Sequence, residues 1–219
     1  MDRRVFTRKA ASLAGAVALA GTGLPLGARA QGDAPVDGQD YLTLAKPISV
    51  PADGKIQVIE FFWYACPHCY AFEPLLETWL TIQRADVEFR RVPVGFDALK
   101  QVHQRIFYTW EAMGLVEAMH AKTFQRFHVE KKPINSEADM LNFAQEQGLD
   151  VPRVKSVWNS FGVASRCAQA QRLEDDYDIQ RMPQMAIQGR FTTFTRADSV
   201  PARALAVTDW LIDRIRRNG

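Results

Sequence analysis

The sequence predicts an α/β protein that carries an inserted, all-helical segment. A strand-like run at 56–62 leads into a helical pattern and then into a second strand-like run at 87–94, which is the order of a βαβ unit. Residues 97–171 then carry apolar residues at helical spacing, without strand-like alternation. Strand patterns return at 185–188 and 191–194, so strands lie on both sides of the helical segment.

The first thirty residues have the pattern of an export signal. A basic start precedes an apolar stretch of small residues at 10–23, and Ala28-Arg29-Ala30 fits the small-x-small pattern of signal peptidase cleavage. Arg3-Arg4 leaves a twin-arginine export route open beside the general one. We therefore expect a cleaved signal peptide at 1–30 and a flexible linker at 31–40.

The charge of the exported chain argues against a nucleic-acid partner. Removal of residues 1–30 takes away five of the 27 Lys and Arg and one of the 25 Asp and Glu, so the formal charge changes from +2 to −2. The sequence also lacks a phosphate-binding glycine loop and an aromatic-basic strip. With 47% hydrophobic and 24% charged residues, the chain is too polar for an integral membrane protein.

The elements follow in order along the exported chain. A short edge strand is predicted at 41–46, and the apolar run at 56–62 predicts a core strand. From Cys66 onward the apolar residues recur at helical spacing, and the next strand is predicted at 87–94.

The segment after this unit is predicted to be entirely helical. Its helices are expected at 99–113, 115–127, 137–147, 151–161 and 164–173. The last two strands then form a hairpin, and an amphipathic helix at 201–217 follows. We therefore expect one domain from 41–96 and 172–219, and an inserted helical domain at 97–171.

The motif Cys66-Pro67-His68-Cys69 carries the predicted chemistry. Residues three apart on a helix are neighbours, so the two cysteines can form a disulfide. Near a helix N-terminus Cys66 faces free N–H groups, which favour the thiolate, and His68 can add a positive charge. Pro67 suits a first helical position. A lowered thiolate pKa stabilises the reduced form and makes the disulfide an oxidant.

Other uses of the cysteines fit the sequence less well. A zinc site needs a second ligand pair, and haem attachment needs a histidine where Tyr70 stands. The single candidates for further ligands are scattered, namely Cys167, His103, His120 and His128. A structural disulfide across so short a loop constrains the unfolded chain little. We therefore expect no metal and no organic cofactor, and we interpret Cys167 as an inert buried residue.

Glu60 interrupts the apolar strand six residues before Cys66. A carboxylate there is costly to bury unless it is partnered or protonated. Glu60 could lie beneath the two sulfurs and exchange a proton with Cys69. The alternative is that Glu60 faces solvent or an arginine.

Together these features resemble the DsbA family of dithiol oxidases. The resemblance rests on the run from Glu60 through the cysteine motif, the helical insertion and Pro183 before a hairpin. It implies a thioredoxin fold, a periplasmic location, and Glu60 as a buried acid partnered by Arg91. It further implies that Cys66 is the exposed nucleophile and Cys69 the buried resolving thiol.

The same resemblance assigns the substrate contacts. Pro183 would be a cis-proline facing Cys66, and the backbone of Met182 would pair with an extended substrate. The segment Gln180-Arg181-Met182-Pro183 departs from the family pattern, because it lacks the usual glycine and the usual valine before the proline.

The expected function is oxidation of reduced, unfolded exported proteins through a mixed disulfide. A membrane quinone-linked oxidoreductase of the DsbB type is the expected reoxidising partner, and the chain is expected to be a monomer. The alternatives are a disulfide isomerase or reductase, and a peptide-binding chaperone with a structural disulfide. Trp63, with Phe62 and Tyr64, could form an apolar surface for substrate docking.

Overall fold

The computed structural model describes residues 34–193 and 201–218, which form a mixed sheet and its surrounding helices. The strands are β1 Tyr41–Thr43, β2 Ile56–Phe62, β3 Val87–Pro93, β4 Gln184–Ile187 and β5 Phe191–Thr193. The helices are α1 Pro67–Thr81, α2 Ala98–Ala112, α3 Val116–His128, α4 Glu137–Glu146, α5 Val151–Trp158, α6 Phe161–Asp176 and α7 Pro201–Asn218. The predicted signal peptide at 1–30 lies outside the described residues.

The five strands form one sheet in the order β1-β5-β4-β2-β3. Strands β2 and β3 are parallel and are joined through α1, which confirms the predicted βαβ unit. Strands β4 and β5 form the predicted antiparallel hairpin. Strand β1 lies at one edge, as predicted, but it ends at Thr43 rather than at residue 46.

The interior strand β2 contributes side chains to two hydrophobic cores. All seven of its residues are buried. Val58 packs with side chains of α1 and α7, such as Leu76 and Leu211, whereas Phe61 packs with side chains of the helical segment α2–α6. The cysteine motif follows directly where this buried strand ends, so the sheet fixes its position. Within the described ranges, no helix is both long and apolar enough to cross a membrane.

The five helices α2–α6 lie between β3 and β4, and side-chain caps set several of their starts. Asp97, Ser136, Asp150 and Ser160 each accept a hydrogen bond from a backbone N–H in the first turn. The predicted bounds 151–161 and 164–173 are corrected by the last cap, because Ser160 ends α5 early and starts α6 at Phe161. Helix α6 then continues to Asp176, so the predicted domain boundary at 171 falls inside it.

Candidate active site at the start of helix α1

The cysteine motif begins at the N-cap of α1. Cys66 has an extended backbone, and its Sγ accepts a hydrogen bond from the Cys69 N–H at 3.4 Å. Pro67 occupies the first helical turn, where a missing N–H leaves no bond unmade. The structure contains both cysteines as free thiols. The predicted position of Cys66 at the start of a helix is therefore confirmed.

The two sulfurs of the motif lie in opposite electrostatic environments. The contact with Cys69 lowers the pKa of Cys66 to about 6 against the opposing effect of burial, and backbone N–H groups and the charge of His68 act in the same direction. Burial raises the pKa of Cys69 well above its ordinary value, and the neighbouring Cys66 adds to the rise. Near neutral pH the pair therefore holds one thiolate, on Cys66, and one thiol, on Cys69.

Cys66 is less exposed than the family resemblance implies. Its exposed fraction is 6%, against 0% for Cys69. Its Sγ lies 3.7 Å from the carbonyl oxygen of Met182, which covers one side of the sulfur. Pro67 and His68 are exposed beside it. Cys66 is thus the more accessible of the two sulfurs, but a substrate must approach it past Met182.

The peptide bond between Met182 and Pro183 is cis. This agrees with the family resemblance, and so does the contact of the Met182 carbonyl with the Cys66 sulfur. The side chain of Met182 is half-buried and packs against the core, whereas Arg181 is exposed. The backbone at Met182 therefore lies beside the sulfur to which a substrate must come.

Glu60 is fully buried in β2 and contacts an arginine. Its Oε2 lies 3.3 Å from Nε of Arg91, the residue opposite it in the β2–β3 register. Burial raises the pKa of Glu60 well above its ordinary value, the charge of Glu73 adds to the rise, and Arg91 opposes it. The charge of Glu60 in turn raises the pKa of Cys69, so the two groups are close enough to interact. Of the alternatives for Glu60 that the sequence left open, exposure to solvent is therefore excluded.

Two further carboxylates of this cluster were not predicted from the sequence. The Arg91 guanidinium also contacts Glu73 at 3.0 Å and Glu77 at 2.5 Å, both from α1. Their spacing of four residues places them on one face of the helix. That spacing alone does not separate a buried ion pair from a solvated surface, so only the packing of α1 against β3 reveals the cluster.

The predicted aromatic docking surface is wrong for two of its three residues. Phe62 and Tyr64 are fully buried, where their rings pack against Phe124 and other aromatic side chains of the helical segment. Trp63 is half-buried, and its Nε1 donates a hydrogen bond of 2.6 Å to Nδ1 of His103. Rings that complete the core leave little surface for a substrate.

The third cysteine lies away from the motif. Cys167 is 9% exposed in α6, and burial raises its pKa to about 11. Its interpretation as a buried residue is confirmed. Within residues 34–193 and 201–218, no group of three or more His, Cys, Asp or Glu side chains is arranged to hold a metal ion.

A thiolate titration checks the electrostatics of the site. We expect the ultraviolet absorbance of the reduced protein to show one thiolate forming with a midpoint near pH 6, because the environment of Cys66 favours its charged form. Replacing His68 with serine should raise this midpoint, since it removes a positive charge. Replacing Cys167 with serine is the control and should leave the midpoint unchanged. A wild-type midpoint at the ordinary cysteine value would contradict this account.

Known proteins match most of this chain. The family model described as "DSBA-like thioredoxin domain" matches residues 57–207. The chain is similar to the thiol:disulfide interchange protein DsbA of Pseudomonas aeruginosa, with 35% identity over 87% of this chain and 90% of the relative. The protein of the same name from Azotobacter vinelandii is 36% identical over 90% and 94%.

Solved structures agree with the sequence matches. The crystal structure of Pseudomonas aeruginosa DsbA superimposes with a TM-score of 0.78 at 34% identity, and it covers 83% of this chain and 94% of that one. These matches confirm the thioredoxin fold with a helical insertion that the resemblance implied.

Proposed function

We propose that this chain, which belongs to the family of DSBA-like thioredoxin domains and is a thiol-disulfide oxidoreductase, donates a Cys66–Cys69 disulfide to pairs of thiols in exported proteins. The direction of disulfide transfer is inferred from one observation: the pKa of Cys66 is lowered to about 6 beside a fully buried Cys69. A stable thiolate favours the reduced enzyme, so the oxidised enzyme tends to pass its disulfide on.

In the first proposed step, a substrate thiolate attacks the Cys66 sulfur. The Cys66–Cys69 bond breaks, its electron pair goes to Cys69, and substrate and Cys66 form a mixed disulfide. Cys69 is a poor leaving group because burial raises its pKa. A proton donor close to Cys69 therefore helps this step, and Glu60 is the buried acid that interacts with it.

In the second step, another substrate thiolate attacks the substrate sulfur of the mixed disulfide. Cys66 leaves as a thiolate, which its low pKa makes easy. The substrate leaves with a disulfide, and the enzyme is reduced by two electrons. During both steps we propose that the backbone of Met182, next to Pro183, pairs with an extended substrate segment, because its carbonyl lies beside the Cys66 sulfur.

The low pKa of Cys66 stabilises the reduced form of the enzyme more strongly as the pH rises. At pH 7 the pKa of Cys66 lies about one unit below the pH. This difference stabilises the reduced form by about 1.4 kcal/mol, or roughly 30 mV for a two-electron couple. An ordinary cysteine is still protonated at that pH. The stabilisation is fully developed above the ordinary cysteine pKa and is lost as the pH falls through that of Cys66, about 6.

We further propose that the chain acts in the periplasm as a monomer. The signal-like pattern at 1–30 supports export. Its substrates are then reduced, unfolded exported proteins. A cycle that consumes one disulfide per turnover also needs an oxidant, and we assign this role to a membrane quinone-linked oxidoreductase of the DsbB type.

Equilibration with glutathione tests the direction of transfer. Protein incubated in buffers of graded reduced-to-oxidised glutathione should be half-reduced at a more oxidising ratio than a model dithiol peptide at pH 7. The difference should shrink at pH 5, because Cys66 is then largely protonated. The oxidised protein should also oxidise a reduced dithiol peptide one for one.

Two results would count against this proposal in different ways. A strongly reducing equilibrium would favour the reductase alternative while leaving the exchange chemistry intact. A disulfide that neither reacts with glutathione nor oxidises the peptide would favour a peptide-binding chaperone with a structural disulfide.

A further inference from the structure

Two carboxyl groups with little exposure to solvent share one positive charge beside the motif. Arg91 contacts both Glu60, at 3.3 Å, and Glu73, at 3.0 Å. The side chain of Glu77, the third partner of Arg91, is 62% exposed, so water screens its charge. Two ionised carboxylates next to a single guanidinium would leave a net negative charge in the interior. One of the buried pair therefore tends to hold a proton, and the surroundings decide which.

His120 on α3 contacts one member of this pair. The residue is 5% exposed, and its Nε2 lies 3.3 Å from Oε1 of Glu73. Among the described residues neither of these two atoms makes a hydrogen bond of regular geometry, so neither is committed to another partner. On the other side of the ring, Nδ1 lies 2.9 Å from the hydroxyl of Tyr64. The imidazole thus connects Tyr64, two residues before Cys66, to Glu73.

The positions of the protons on this chain follow from the partners. Burial raises the pKa of Tyr64, which keeps its hydroxyl protonated, and burial lowers the pKa of His120, which keeps the ring neutral. A neutral imidazole has one N–H and one acceptor nitrogen. We assign Nδ1 as the acceptor of the Tyr64 O–H, so the ring proton is on Nε2 and points to Glu73.

The ionisable groups around His120 come from three parts of the fold. The groups that face His120 are Tyr64 of the β2–α1 loop, Glu73 and Glu77 of α1, and Arg91 of β3. The aromatic rings of Phe107 on α2 and Phe124 on α3 also pack against His120. Glu60 faces Glu73, Glu77 and Arg91, and it interacts with Cys69. The influence of His120 therefore reaches Glu60 through Glu73.

We propose that His120 is a positioning residue for proton exchange with Cys69: its Nε2–H keeps Glu73 ionised, so that the proton of the carboxyl pair resides on Glu60. This inference rests on the proposed function. The surroundings of Glu60 agree with it. Among the described residues neither of its oxygens accepts a hydrogen bond, and Oε2 has the 3.3 Å ion-pair contact with Arg91, whereas an ionised buried carboxylate needs several hydrogen bonds.

The proton is used when the enzyme disulfide opens. The substrate thiolate forms a bond to Cys66, the Cys66–Cys69 bond breaks, and its electron pair goes to Cys69. Glu60 transfers its proton to Cys69 and becomes a carboxylate, which Arg91 neutralises. When the enzyme is reoxidised, Cys69 loses its proton and Glu60 takes it back.

Two substitutions separate the two contacts of the imidazole. His120→Gln keeps an N–H donor at the position of Nε2 and can still reach Glu73. His120→Asn ends at the position of Nδ1, so it keeps a partner for Tyr64 but withdraws the donor from Glu73. The reaction of the oxidised protein with a dithiol peptide is measured from pH 5 to 9, and each variant is expressed as a ratio to wild type, which cancels the ionisation of the peptide.

For His120→Asn we expect the rate ratio to be close to one at low pH and to fall about tenfold above neutrality, since a shift of one pH unit changes the protonated fraction about tenfold. Without its donor Glu73 competes for the proton, so Glu60 ionises at lower pH. His120→Gln should follow the wild-type profile. Tyr64→Phe removes the O–H that fixes the tautomer of the His120 ring, so it should shift the profile in the same direction as His120→Asn. If His120→Asn does not fold, Tyr64→Phe takes its place in the test.

The carboxyl groups themselves supply a readout that does not depend on activity. In ¹³C NMR titrations of the reduced protein, His120→Asn should lower the titration midpoint of Glu60 and raise that of Glu73, with Glu60→Gln identifying the first signal. A wild-type protein that oxidises no dithiol would end the proposed function but leave this titration as a test. Equal profiles and equal midpoints in the Asn and Gln variants would overturn the role of His120.

Discussion

Replacing Cys66 with serine reduces the oxidation of a dithiol peptide by the protein to the rate without protein. Disulfide transfer needs a sulfur that a substrate thiolate can reach, and Cys69 is fully buried. A serine hydroxyl forms no disulfide, so the variant has nothing to donate. The loss of free thiol in the peptide, followed after addition of oxidised protein, measures this effect.

The other two cysteines provide matched controls. Cys167→Ser should keep the wild-type rate, because Cys167 is buried in α6 and burial raises its pKa to about 11. Cys69→Ser should also fail to oxidise the peptide, but it retains the Cys66 sulfur and should accumulate a stable mixed disulfide with glutathione. Oxidation retained by Cys66→Ser would assign the chemistry to another sulfur.

Replacing Arg91 with methionine should lower the free energy of unfolding by about 3–5 kcal/mol at neutral pH, the usual cost of removing one partner of a buried ion pair. Arg91 is the cation that contacts both Glu60 and Glu73, and its side chain is 12% exposed. Methionine keeps much of the length but leaves both carboxyls without a counterion. Urea unfolding followed by circular dichroism measures the loss.

The loss should depend on pH in a defined direction. Removal of Arg91 raises the pKa of both carboxyls relative to wild type, so the variant loses more stability where they are ionised and less as the pH falls and they become protonated. The difference from wild type should therefore be larger at pH 8 than at pH 5. Arg84→Met is the matched control, because Arg84 is 72% exposed, and it should change stability by less than about 1 kcal/mol. Equal losses in the two variants would contradict a buried cluster.

Much of the fold was accessible from the sequence because its signals are local. A run of mostly apolar residues predicted β2 with the bounds that the structure shows. The proline after Cys66 and the apolar spacing beyond it predicted the start of α1. The break between α5 and α6 was misplaced, because a single cap at Ser160 decides it and no change in the apolar pattern marks it.

The electrostatic part of the site depends on contacts between distant segments, which the sequence does not display. Glu60 stood out because it interrupts an apolar strand. Glu73 and His120 did not, since a single polar residue on an amphipathic helix has the same pattern whether it faces water or a buried partner. They meet only because α1 packs against α3.

The unequal chemistry of the three thiols also offers a simple route to labelled protein. At a pH just above the pKa of Cys66, about 6, a thiolate-selective maleimide meets one ionised sulfur, while Cys69 and Cys167, whose pKa values are raised by burial, are protonated. A fluorophore or spin label can then be attached to the reduced, unmutated chain at a single position. The label stands beside Met182 and Pro183, where an arriving peptide changes its surroundings.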